Sequence, residues 1–116
     1  MSPLRISSLF GALGVALGAF GAHGLRPILE SRQTLPVWQT ASLYHLLHAI
    51  VLLWVSSQTP LPKAAFRFFT AGVLLFSGSL YVLALTSIAR LGIITPLGGV
   101  ALICGWLCLA FRRSKA

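Results

Sequence analysis

Residues 43–54 read LYHLLHAIVLLW, an apolar run that carries one tyrosine and two histidines and no charged residue. The run lies inside a longer gap, from Arg32 to Lys63, that holds no Lys, Arg, Asp or Glu. Three more such gaps follow the same rule: Arg5 to Arg26, Arg67 to Arg90, and Arg90 to Arg112. Each is long enough for the roughly 20 residues that a helix needs to cross a bilayer. The spacing predicts four transmembrane helices, at residues 4–23, 36–56, 64–87 and 93–111. A phenol or an imidazole exposed to hydrocarbon leaves donors and acceptors unpaired. The polar groups of residues 43–54 are therefore expected to face neighbouring helices.

Composition points the same way. The 116 residues are enough for one domain, over 1–116; 57% of them are hydrophobic and only 9% are charged. A soluble domain carries about 25% charged residues, so this chain is too poor in charge to cover a water-facing surface. The expected fold class is an all-α, integral membrane four-helix bundle.

The net charge of +8 does not indicate nucleic acid, because the cations fall between apolar runs and form no basic face. They follow the positive-inside rule instead. With four spans, one side collects Arg5, Lys63, Arg67, Arg112, Arg113 and Lys115, and the other holds Arg26, Arg32 and Arg90 beside Glu30. That asymmetry predicts an N-in/C-in protein of the cell inner membrane, both termini cytoplasmic, with the tail FRRSKA against anionic lipid. The first run is read as a retained span and not a cleaved leader. Removing it would place the cationic tail outside.

Within the spans, small and polar residues mark packing faces. Gly11, Gly14, Gly18 and Gly21 share a narrow arc of the first span, and Gly98 and Gly105 are seven apart in the fourth. Such stripes let backbones approach closely in lipid, here within the molecule before any second copy. In the second span, Trp38 and Trp54 are 16 residues apart, about 24 Å of helix, which suits one indole at each membrane interface. On a projection Thr40, Ala41, Tyr44, His45 and His48 share a side, predicted to face the interior, while Leu43, Leu46, Leu47, Ile50 and Leu53 face lipid. The loop GLRPILESRQTLP predicts a short interfacial helix with Ile28 and Leu29 dipping into the boundary. In the third span Ser77, Ser79, Thr70 and Thr86 are each expected to bond a carbonyl one turn back. Thr95 and Pro96 suit the start of the fourth. Cys104 and Cys108, one turn apart, are expected to be free thiols acting as small apolar residues.

The segments GAFGAHGL, WQTASLYHLLHA, FSGSLYVLALTS and ITPLGG…GW, in this order and spacing, resemble the YgdD/YwdK-type family of small inner-membrane proteins (domain of unknown function 423). The likeness runs over nearly the whole chain. It implies that His23, Tyr44, His48, Ser77, Ser79 and Tyr81 belong to the family pattern, with Trp38, Thr40, Thr95 and Pro96. His45 falls outside that pattern, so His48 is the expected central histidine. Placed by depth, these residues predict a polar cluster in the outer half of the bundle.

Four functional readings follow. The first is a non-enzymatic protein acting through the lipid bilayer, a membrane-protein partner or a homo-oligomer, with no cofactor, no metal and no nucleic acid. The alternative is a small transporter or channel subunit using His48, since no span holds a carboxylate. A haem or quinone site is less favoured: His23 ends the first span while His48 lies about 16 Å into the second, and a bis-histidine haem needs both at one depth. An enzyme with His48 or Tyr44 as general base lacks a nucleophile and an oxyanion site.

Overall fold

A computed structural model describes residues 1–113. Ser114, Lys115 and Ala116 of the expected surface tail lie outside the described residues. The described chain is all-helical: α1 (Pro3–Ala22), α2 (Arg26–Ser31), α3 (Leu35–Ser56), α4 (Lys63–Thr86) and α5 (Ile94–Ala110), the last entered through a 3-10 turn at Ala89–Ile93. The four long helices start and stop within a residue of the expected spans at 4–23, 36–56, 64–87 and 93–111, because proline, glycine and polar residues take over at the ends of each apolar run. Ser2 caps α1 by accepting from the Arg5 backbone N–H. Proline near the start of α1, α2 and α3 removes an N–H that has no helical partner there.

Among the described residues three segments are long and apolar enough to cross a membrane: Pro3–Ala22, Lys63–Thr86 and Ala89–Ala110. The 22-residue α3 is less apolar, since Gln39, Tyr44, His45 and His48 lie within it. It occupies the middle of the fold. α1 packs on α3, α3 on α4, and α4 on α5, while among the described residues α5 and α1 make no close backbone approach. The two ends of the molecule are tied across helices. At one end Thr34 Oγ1 donates to the Ala84 carbonyl at 2.7 Å. At the other, Arg112 Nη2 donates to the Pro60 carbonyl at 3.1 Å.

Glycine sets the tightest contacts. A Cβ at Gly98 would strike the backbone of Phe76, so α4 and α5 meet main chain to main chain there. A Cβ at Gly21 would fall on the Trp38 indole. Gly14, Gly105 and also Gly72 likewise receive a neighbouring side chain. Gly11 and Gly18 differ from expectation: nothing lies within 4 Å of a Cβ at either position, so this side of α1 is uncovered.

Several local expectations are corrected. Leu29 of α2 is fully buried against Trp38, Tyr81 and Ala84, and only Ile28 is exposed. Thr95 does not cap α5, which begins one residue earlier; its hydroxyl pairs with Ser79 instead. Trp38 is no interface residue: it is 2% exposed, with Nε1 donating to the Leu17 carbonyl at 2.9 Å. Cys104 and Cys108 are free.

Candidate functional site: the polar interior around α3

The buried face of α3 carries Trp38, Ala41, His45, His48, Ala49, Leu52 and Val55. Tyr44, one residue and about 100° of helix from His45, sits at the edge of this face. It is 39% exposed and rests its ring on Phe76 at 4.8 Å. The expected inward side of α3 is thus rotated: Thr40 and Tyr44 turn outward, and His45 takes the central place.

His45 bridges three helices. Its Nε2 lies 2.8 Å from the Phe10 carbonyl of α1, and its Nδ1 lies 2.9 Å from the Tyr81 hydroxyl of α4. A carbonyl only accepts, so Nε2 carries the proton, and Nδ1 accepts from Tyr81 O–H. Tyr81 oxygen also stands 3.4 Å from Ser42 Oγ. The Tyr81 ring packs edge-on against Trp38 at 4.7 Å between centroids. Nearby, Ser77 Oγ donates to the Ala41 carbonyl at 2.8 Å, a bond across helices and not the one-turn-back bond expected of it.

His48 has the opposite tautomer. Its Nδ1 donates to the Tyr44 carbonyl at 2.8 Å, leaving Nε2 to accept from Trp106 Nε1–H of α5 at 3.1 Å. Phe69 and Trp106 enclose the ring at 5.7 and 5.9 Å. Ser79 donates to the Phe76 carbonyl at 3.0 Å and accepts from Thr95 at 2.6 Å, joining α4 to α5. Thr86 bonds the Val82 carbonyl one turn back as expected, whereas the buried Thr70 hydroxyl has no partner among the described residues. His23 stands apart, exposed at the end of α1.

Of the six residues expected in the polar core, the structure buries His48, Ser77, Ser79 and Tyr81 and leaves His23 and Tyr44 outside. His45 and Trp38 replace them. Trp38, Ala41, His45, Ala49 and Leu52 recur at three and four residues, but Thr40, Tyr44 and His48 recur at four as well, so spacing alone did not choose between the two faces. Among the described residues no three His, Cys, Asp or Glu side chains are placed to hold a metal.

A helical fold with apolar outer faces and histidine, tyrosine and serine bonded between helices is that of an integral membrane protein. The chain belongs to the family described as "Protein of unknown function (DUF423)", whose profile matches residues 17–99. It is 43% identical to the UPF0382 membrane protein YwdK of Bacillus subtilis (strain 168), over 97% of this chain and 98% of that one. A UPF0382 membrane protein of Staphylococcus aureus is 41% identical over 95% and 93% of the two chains. One from Schizosaccharomyces pombe is 34% identical over 91% and 96%. No solved structure matches the chain.

Proposed function

We propose that the chain is a single-domain, four-span inner-membrane protein with both termini cytoplasmic, and that it acts non-enzymatically, by binding lipid, a membrane-protein partner or a second copy through its outer faces. The observation that carries this reading is that both ring nitrogens of His45 and both of His48 are already used in holding helices together. A group so engaged is a bolt between helices, and freeing it for proton transfer costs two hydrogen bonds in a site without water to replace them. α3 is about 33 Å long, enough for a hydrocarbon core of about 30 Å. Its two histidines are covered by α1, α4 and α5, which supports its being the fourth span. In this arrangement Trp38, Ser42, Ser79, Tyr81 and Thr95 fall in the outer half, beside the α2 end, and α2 lies along the interface.

The test has two arms. A single cysteine introduced as Gln58→Cys, with Cys104 and Cys108 replaced by serine, should react with a membrane-impermeant maleimide only from the cytoplasmic side. Affinity purification from mild detergent should return one reproducible membrane-protein partner or the chain's own oligomer. Labelling from outside would reverse the topology. Flux into proteoliposomes that disappears in His48→Ala would replace the non-enzymatic reading with transport.

A further inference from the structure

Val51 and Trp54 of α3 and Trp106, Leu109 and Ala110 of α5 line a groove of about 520 Å³ on the outer surface, at the end away from α2. Its volume falls in the usual range for ligand sites, about 300–1,000 Å³, and its walls are almost wholly apolar. Both indoles are half exposed in it, at 52% and 49%. The Trp54 indole N–H has no protein acceptor among the described residues, unlike that of Trp106, which is held by His48.

The polar edge of this groove is cationic. Arg112 follows the end of α5, and its Nη1 lies 3.5 Å from Gln58 Oε1. Gln58 in turn donates to the Trp54 carbonyl at 3.4 Å, so the guanidinium lies at the same end of the molecule as the groove, two residues beyond Ala110 of its wall. Among the described residues its bonds go to Gln58 and the Pro60 carbonyl, both neutral, and no carboxylate pairs with it. Arg113 beside it is exposed. Glu30, the chain's one acidic side chain, is at the opposite end, 2.7 Å from Arg26. That pairing also separates this site from the groove of about 300 Å³ between α1 and α3, where the cation Arg26 is neutralised.

We propose that the α3–α5 groove binds an anionic phospholipid of the cytoplasmic leaflet, an acyl chain lying between Trp54 and Trp106 and the phosphate meeting Arg112, with Arg113 adding charge. The apolar walls select a chain, and the cationic edge selects an anion over a zwitterion. The proposal rests on the four-span reading and adds to it the class of lipid.

The wild-type protein reconstituted in vesicles of phosphatidylcholine with brominated acyl chains provides the probe, because bromine quenches tryptophan on contact. Trp38 is buried and gives a constant background. Unlabelled phosphatidylglycerol or unlabelled phosphatidylcholine is then mixed in at equal mole fraction. Phosphatidylglycerol should restore fluorescence as though it were enriched at the two indoles, by about fivefold for each arginine engaged. The preference should fall toward parity in the double variant Arg112→Gln, Arg113→Gln. Ala110→Leu, which fills the groove from an exposed position, should weaken both quenching and preference. Equal recovery with the two lipids in wild type overturns the proposal, and so does a preference that survives the double variant. Extraction with alkaline carbonate separates the two levels of the argument. A protein that leaves the membrane sinks the spanning reading and the lipid site together; one that stays embedded without a lipid preference sinks the lipid site alone.

Discussion

The Tyr81 hydroxyl of α4 lies 2.9 Å from His45 Nδ1 of α3, across 36 positions of sequence. The same imidazole reaches the Phe10 carbonyl of α1 at 2.8 Å. One side chain in the middle of α3 therefore sets the rotation of α3 against both helices that flank it. Trp106 does the equivalent for α5 through His48.

Removing the Tyr81 hydroxyl should therefore be felt, and removing that of Tyr44 should not. Tyr81→Phe leaves Nδ1 of His45 without a donor and should cost about 0.5–1.5 kcal/mol. Tyr44→Phe touches an exposed phenol with no protein partner and should stay within about 0.5 kcal/mol. Reversible unfolding in mixed micelles measures both. Equal effects would mean that α3 is rotated as the tyrosine-inward projection expects.

The glycines of α1 and α5 should divide sharply. At Gly98 the obstacle to a methyl is the Phe76 backbone, which cannot turn away, and at Gly21 it is the buried Trp38 ring. Gly98→Ala and Gly21→Ala should each destabilise by about 1–3 kcal/mol. Gly11→Ala and Gly18→Ala, facing open space, should be neutral or slightly stabilising, because alanine is the better helix former by about 1 kcal/mol. Thermal unfolding in detergent, followed by circular dichroism, ranks the four. A loss at Gly18→Ala in the membrane, absent in detergent, would instead reveal a second chain seated on that uncovered face.

Thr70 offers a substitution that should improve the protein. Its hydroxyl is buried without a partner, and desolvating an unpaired hydroxyl costs about 1–3 kcal/mol by the measure of protein mutants. Thr70→Val keeps the shape and removes the hydroxyl. The unfolding midpoint of the variant should equal or exceed that of wild type, and a clear decrease would show that the hydroxyl has a partner in the native membrane.

Ser87 ends α4 in the left-handed region, with φ of 60°. A side chain there is strained, whereas glycine adopts the conformation freely. Ser87→Gly should stabilise by roughly 0.5 kcal/mol, the relief of strain being partly offset by a more flexible unfolded chain. The gain should appear as a higher unfolding midpoint. A loss would mean that the contact of Ser87 Oγ with Arg32 at 3.5 Å outweighs the strain.

The long helices were legible because each contains a long charge-free run, set off by Arg5, Arg26, Arg32, Lys63, Arg67, Arg90 and Arg112. Ser77, Ser79, Tyr81 and His48 were picked out for a polar core by the likeness to the family, which named His23 and Tyr44 with them. Their actual partners could not be read in this way. Ser77 was expected to satisfy itself on its own helix and instead crosses to Ala41, and Thr95 was expected to cap a helix and instead meets Ser79. Local and cross-helix bonds satisfy the same atom equally well, so the residue type does not choose between them.

By itself, then, the order of amino acids determined an all-helical chain, the limits of its long helices and the need to cover the histidines. Only the tertiary structure decided which way α3 turns, placing Trp38 inside and Tyr44 outside and making His45 the central histidine. The reason lies in the solvent. In water an inward face is apolar and an outward face polar, so a sequence pattern reveals rotation. In lipid both faces are apolar, the contrast disappears, and rotation is left to close packing at Gly21 and to the bonds that His45 makes with Phe10 and Tyr81.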